Sequence, residues 1–202
     1  MDFVEGSSST AYTPQLIDEL STLQARMHLL GIAFAQIHPK GTEWKRLRLQ
    51  RVPLVDTDKQ STELQGFIRR MTSFSSPLIP GLPYGYNHRD LDLDGNVIVK
   101  ENHINAIIDF EDIKYSPVVD CLAKTLWSVL FDSSEKDMWR YLAQYEKIRP
   151  LTHDEKKTLP SAIFLRNYAV AAINLLCGTY LEEIPRLIEY EHRIPGFFRE
   201  FA

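Results

Sequence analysis

The chain has 202 residues, of which 44% are hydrophobic and 11% aromatic, enough apolar material for a folded core and too much for a disordered polymer. Lys and Arg total 23 against 27 Asp and Glu, a net charge of −4 with no long basic block, which speaks against nucleic-acid binding by phosphate neutralisation. No unbroken apolar run reaches the roughly 18 residues that span a bilayer, and Met1 to Gly6 lack the basic-then-apolar order of a secretory signal, so a cytoplasmic globular protein without a membrane partner is expected. Cys121 and Cys177 stand in no metal-ligand or CxxC spacing and are read as small apolar residues.

Ser7 to Thr13 is polar, and Thr13-Pro14 reads as an N-cap followed by proline at the first helical position. Leu16, Leu20, Leu23, Met27, Leu30, Phe34 and Ile37 then recur at alternating steps of four and three. That predicts one amphipathic helix with this stripe as its core face, bent near Gly31 and ended by Pro39 and Gly41. Lys45, Arg46, Arg48 and Arg51 near Trp44 form a basic patch, read as a solvated face in preference to a phosphate site. A short helix is expected over Ser61 to Ser73, followed by a Pro/Gly-rich link over 77–85. Asn96–Val99 and Ile104–Phe110, separated by Lys100-Glu101-Asn102-His103, read as a β-hairpin. From Val118 to Ala202 the pattern is helical, with Ser133 or Ser134 and Thr152 as N-caps, Thr152 and Glu155 at capping-box spacing, and Gly178 and Pro195 as breaks. Trp127, Trp139 and Tyr168 fall at core-like positions, and Glu182, Glu183, Glu189 and Glu191 read as an exposed acidic helix face.

The segment that carries chemistry is His88-Arg89-Asp90-Leu91-Asp92-Leu93-Asp94-Gly95-Asn96, with Ile107-Ile108-Asp109-Phe110-Glu111-Asp112 after the hairpin. Phosphoryl transfer needs a base to orient the attacking hydroxyl and hard oxygen ligands for a Mg²⁺ that bridges phosphates. Asp90 fits the base, while the Asn96 side-chain carbonyl and Asp109 fit the metal, brought together because antiparallel strands run from one to the other. The competing reading of Asp109 is an N-cap or a buried salt bridge; Asp92 and Asp94 read as turn formers.

At these residues the sequence resembles the aminoglycoside phosphotransferase, choline kinase and homoserine kinase superfamily, whose members have a protein-kinase-like fold. His88-Arg89-Asp90 with Asn96 is similar to its catalytic loop, and Ile108-Asp109-Phe110-Glu111 to its metal-binding segment. Asp120, in Asp120-Cys121-Leu122-Ala123, resembles the start of the helix after the metal site, and the resemblance implies that it and His88 support the site without reacting. Ala33 to His38 is similar to the end of the first large helix of the C-terminal lobe. Met1 to Gly6 resembles the linker between lobes, which would put Phe3 and Val4 against the adenine of ATP.

Two departures stand out. Asn96 follows Asp90 by six positions, one more than in the H-R-D-x-x-x-x-N pattern of kinase loops. None of the nine glycines falls in a Gly-x-Gly arrangement, and no Val-Ala-Ile-Lys-like strand occurs. The expected fold is therefore α+β and mostly α-helical: a kinase-like C-terminal lobe with a catalytic-loop hairpin, beginning at the hinge and without the N-terminal ATP lobe. Its parts would be a hinge-like segment (1–6), first helices (7–75), catalytic loop and metal hairpin (84–112) and a helical substrate-side region (118–202). The resemblance implies a transferase that uses ATP and Mg²⁺ to phosphorylate a hydroxyl of an amino-bearing small molecule, incomplete in this chain. The rival expectation is an inactive remnant that binds a ligand or partner, with a homodimer through the face left by the missing lobe.

Overall fold

The computed structural model describes residues 4–9, 11–38, 61–75 and 80–197. Phe3 and the basic patch around Trp44 lie outside the described residues, as does part of the 77–85 link. Helix α1 (Pro14–Ile37) begins as its cap dictates: Leu16 N–H donates to the Thr13 hydroxyl at 3.3 Å and Pro14 occupies the first turn. Helix α2 (Thr62–Ser73) starts at the Ser61 cap in the same way.

Only the first part of the expected stripe on α1 is core. Leu16 and Leu20 are buried, but Leu30, Phe34 and Ile37 are exposed, and the buried line continues through Ser21, Gln24, Ala25, His28, Gly31 and Ala35. The cause is β1 (Tyr84–His88), which runs directly beneath the C-terminal half of the helix. A methyl on Gly31 would collide with the carbonyl oxygen of Tyr86, and one on Gly85 would lie 2.9 Å from Ile32 N. Backbone meets backbone there, so large apolar side chains are turned outward.

β1 pairs antiparallel with β4 (Ile113–Pro117), Tyr84 opposite Pro117 and His88 opposite Ile113. Neither strand was expected. In Tyr-Gly-Tyr-Asn-His, Gly and Asn weaken the strand signal of the tyrosines; the strand is supported by the tilted contacts of Tyr84 and Tyr86 with Tyr115 and by Asn87 Nδ2, which donates to Gly85 O at 2.9 Å and Ser116 O at 3.0 Å. The expected hairpin is present as β2 (Val97–Lys100) and β3 (His103–Ile107). Its two-residue turn, Glu101-Asn102, has both φ values positive (52° and 63°), the backbone of a type I′ turn. The second strand is shorter than expected because the chain leaves it at Asp109 for a single 3-10 turn, Phe110–Asp112. The N-terminal segment extends this ribbon: Ser7 and Val99 exchange backbone hydrogen bonds of 3.1 and 2.8 Å.

Four α-helices follow among the described residues: α3 (Val118–Asp132), α4 (Glu135–Glu146), α5 (His153–Cys177) and α6 (Ile184–Phe197). Ser134 caps α4, and the Thr152–Glu155 capping box is closed in both directions. Gly178 ends α5 at φ 66°, whereas Pro195 lies within α6 and does not break it. By length and composition α5 is apolar enough to cross a bilayer, which a count of unbroken apolar runs does not register. Here it packs between α3 and α6 and buries Leu159, Ala162, Ile163, Tyr168 and Ala171 in the core. Trp127 and Tyr168 are packing residues, as expected. Glu191 is not exposed: Arg70 grips it with two hydrogen bonds of 2.6 and 2.7 Å, and Tyr168 donates to it at 2.5 Å.

Candidate active site

β1 ends in His88, and the loop after it carries Asp90 and Asn96. Leu91 and Leu93 are buried and anchor it, while Asp92 O accepts from Gly95 N at 3.2 Å to close a turn. The turn falls within the span of six positions from Asp90 to Asn96. Asn96 reaches back, its Nδ2 donating to Asp90 O at 3.1 Å and to Asp90 Oδ2 at 3.2 Å. With Nδ2 so engaged, Oδ1 is the Asn96 atom left to face a cation.

Asp109 stands at the far end of the hairpin. Val97 pairs with Ile107, and Ile108 N–H donates to Asn96 O at 2.9 Å, so Asp109 follows immediately after the residue bonded to Asn96. Asp109 is exposed, takes a left-handed backbone (φ 63°, ψ 51°) and makes no side-chain capping bond. It therefore precedes the 3-10 turn without its side chain capping it, and it is not a buried salt bridge. Glu111 is exposed nearby.

His88 ties these parts together. It is 2% exposed; its Nδ1 accepts the Asp90 N–H at 3.3 Å, which puts the ring proton on Nε2, 2.8 Å from Ile108 O. One imidazole thus links the backbone of Asp90 to the residue preceding Asp109. Asp120 is buried in the first turn of α3, and its neighbour Cys121 supplies a brace that residue type alone does not suggest, its thiol donating to His88 O at 3.1 Å. Burial pushes the Cys121 thiol up to about 12, so it acts as a donor and not as a thiolate. Cys177, by contrast, is exposed and not a core residue.

Lys124, one helical turn beyond Asp120, was not singled out from the sequence, although a lysine inside a run of buried apolar residues is a visible cue. Its ammonium contacts Asp90 Oδ1 and lies 3.7 Å from Asp92 Oδ2. Burial, and then the cations of Arg166 and Arg89, pull Lys124 down to about 7. Burial raises Asp92, with Asp94 and Asp132 adding to the shift while Ser128 and Arg166 oppose it. Burial, then Asp94 and Glu183, push Asp132 up to about 6 against the pull of Arg186. Asp92, Asp94 and Asp132 thus form an acidic cluster in which burial and neighbouring carboxylates disfavour the ionised Asp92 and Asp132, with Arg166 and Arg186 opposing.

At the N-terminal side, Val4 is 43% exposed and Gly6 backs onto the hairpin; a methyl on Gly6 would lie 2.6 Å from Val99 O and 2.7 Å from Ile98 Cγ2. Asn105 Nδ2 donates to Glu5 O at 2.8 Å, holding the segment beside the strand that leads to Asp109. Among the described residues no three His, Cys, Asp or Glu side chains form a metal cage.

Comparison with known proteins finds relatives in both sequence and fold. Over 168 residues the chain is 27% identical to a homoserine kinase of Polaromonas naphthalenivorans (strain CJ2), a match that takes in 78% of the chain and 52% of that protein. Over 178 residues it is 28% identical to a homoserine kinase of Gluconobacter oxydans (strain 621H), covering 79% and 52%. The chain spans about half the length of these curated relatives. Among solved structures, amicoumacin kinase hAmiN in complex with AMP-PNP, Ca²⁺ and Ami superposes with a TM-score of 0.63 over 96% of this chain and 63% of its own, at 19% identity, which shows the mostly helical, kinase-like fold. The model of the phosphotransferase enzyme family, APH, matches residues 1–151, and the chain belongs to that family.

Proposed function

We propose that the chain provides the catalytic loop and acceptor-side helices of a phosphotransferase that moves the γ-phosphoryl group of ATP, with Mg²⁺, to a hydroxyl of an amino-bearing small molecule. The observation that carries this reading is the return of the Asn96 amide to Asp90 within a loop whose hairpin leads straight to Asp109. In it Asp90 takes the proton of the acceptor hydroxyl, and His88 holds the Asp90 backbone against the strand end. The Asn96 Oδ1 and the uncapped Asp109 carboxylate are hard oxygens, few in number, as suits Mg²⁺ that keeps water and phosphate oxygens. When bound there, Mg²⁺ neutralises phosphate charge. Val4, in the hinge-like segment, would face the adenine, and ATP dependence would go with a cytoplasmic location. The acidic cluster of Asp92, Asp94 and Asp132 suits an ammonium on the acceptor, and the homoserine kinase relatives point to an amino alcohol of that kind.

The test is calorimetric titration with ADP, with and without Mg²⁺, followed by ³¹P NMR of ATP with L-homoserine and other amino alcohols. Asp109→Asn should abolish Mg²⁺-dependent binding, whereas Asp90→Asn should keep binding and lose transfer. Equal loss of binding in both variants would refute these roles. The additional residue between Asp90 and Asn96 favours a second reading, a binding module without catalysis. It predicts no Mg²⁺-dependent nucleotide affinity and a homodimer in sedimentation.

A further inference from the structure

The Asp90 carboxylate is held at both oxygens by groups from different elements. Asn96 Nδ2, at the root of the hairpin, donates to Oδ2 at 3.2 Å, and the Lys124 ammonium, from α3, contacts Oδ1. The Lys124 side chain is 15% exposed while that of Asp90 is 44% exposed, so the carboxylate stands at the surface of the site with its cation behind it. A buried ammonium is stable only against a partner. The helix that bears it is not free to adjust, because Leu122, Ala123, Leu126 and Trp127 on either side of Lys124 are buried in the core. Asp92 Oδ2 is a second, looser ion-pair partner of the ammonium at 3.7 Å.

We propose that Lys124 is a positioning residue for phosphoryl transfer: with Asn96 it clamps the Asp90 carboxylate from opposite oxygens and sets its plane before the acceptor hydroxyl arrives. This rests on the reading of Asp90 as the base. A carboxylate has about four lone-pair sites, so two clamping donors leave each oxygen able to accept from the hydroxyl. An ammonium on a base weakens it as a base. In phosphoryl transfer that loss matters little, because the transition state is loose and catalysis is mostly positioning. A carboxylate wandering by about 1 Å would cost on the order of a hundredfold in rate. A held, weaker base therefore outperforms a free, stronger one. The alternative is that the pair merely pins the loop to α3.

The experiment compares wild type with Lys124→Met, which keeps the apolar stem and removes the charge, and with Lys124→Gln should the first variant not fold. Two readouts are taken. Three-bond Hα–Hβ couplings of Asp90 report its χ1 distribution without any need for activity: one rotamer is expected in wild type and an average in the variant. Steady-state transfer from Mg²⁺-ATP to L-homoserine, or to whichever amino alcohol supports turnover, should show kcat down about a hundredfold with the acceptor KM and the Mg²⁺-ADP Kd changed less than about threefold. Lowered stability with kcat intact, or Asp90 couplings identical in both proteins, overturns the inference. If wild type turns over none of the acceptors, the proposed function fails, and the couplings alone decide whether Lys124 holds Asp90.

Discussion

Replacing Gly31 by Ala puts the contact between α1 and β1 to a direct test. In an exposed helix the change is favourable by about 1 kcal/mol, since alanine is the better helix former. At position 31 the added methyl collides with Tyr86 O and lies 3.1 Å from the carbonyl carbon and 3.2 Å from the nitrogen of the same residue. Carbon–oxygen contacts relax only near 3.3–3.6 Å, so helix and strand must part by roughly 1 Å. Both sides of the contact are backbone, so no side-chain rotation relieves it. Overpacking of this kind costs about 1–3 kcal/mol, and the rigid contact places it at the upper end, for a net loss of about 2 kcal/mol after the helix-propensity gain. Gly66 in α2 is the internal control, because a methyl there meets only the Arg70 Nη1, a flexible side-chain end, at 3.2 Å. Urea denaturation with fitted midpoint and slope should show Gly31→Ala destabilised and Gly66→Ala unchanged or stabilised, about 3 kcal/mol apart. β1 ends in His88, so the same variant should also lose transfer activity. Equal stability of the two variants would refute the account of α1.

Further predictions follow from the buried polar groups. Glu155 is fully buried and accepts from Arg149 at 2.7 Å and from Thr152 N at 3.0 Å, so Glu155→Gln should cost about 3–5 kcal/mol by stranding the guanidinium, and adding Arg149→Met should recover part of that loss; a double variant as unstable as the sum of the singles would count against it. Burial, then Arg149, depress His28 from 6.5 to about 3. The unfolded imidazole takes its proton as pH falls through 6.5 and the folded one does not, so stability is lost on acidification, by about 2 kcal/mol at pH 5. Denaturation midpoints from pH 7.5 to 5 should fall more steeply for wild type than for His28→Gln, and parallel curves would refute the assignment. Ellman's reagent should titrate one thiol in the native protein, Cys177, and both in denaturant, since Cys121 is buried and bonded to His88 O.

Much of the local architecture was legible in the residue order. Thr13-Pro14 starts α1, Thr152 and Glu155 close their box, and Glu101-Asn102 turns the hairpin, because caps and tight turns are settled by side chains a few positions apart. The grouping of Asp90 with Asn96 and the approach of Asp109 were legible for the same reason: a loop and one hairpin connect them. The additional residue in that loop left open where Asn96 would point, and only the turn closed by Asp92 and Gly95 answers it.

Contacts between distant segments were not legible. The leucine stripe of α1 promised a longer core face than exists, because periodicity records how apolar a face is and not what lies beneath it; here a strand backbone lies beneath, and glycine and alanine fit where leucine does not. β1 and β4 carry weak strand signals and are stabilised by each other. Glu191 looked like one of a row of exposed acids until Arg70, from a helix more than a hundred residues earlier, met it. Lys124 and Asp90 belong to the same class. By itself the sequence determined the beginnings of α1, α2, α4 and α5, the hairpin and the order of the acid and amide groups, since those depend on neighbours along the chain. The tertiary structure alone decided which faces are covered, which charges are buried and what holds the Asp90 carboxylate, since burial and pairing are properties of whatever the fold brings opposite.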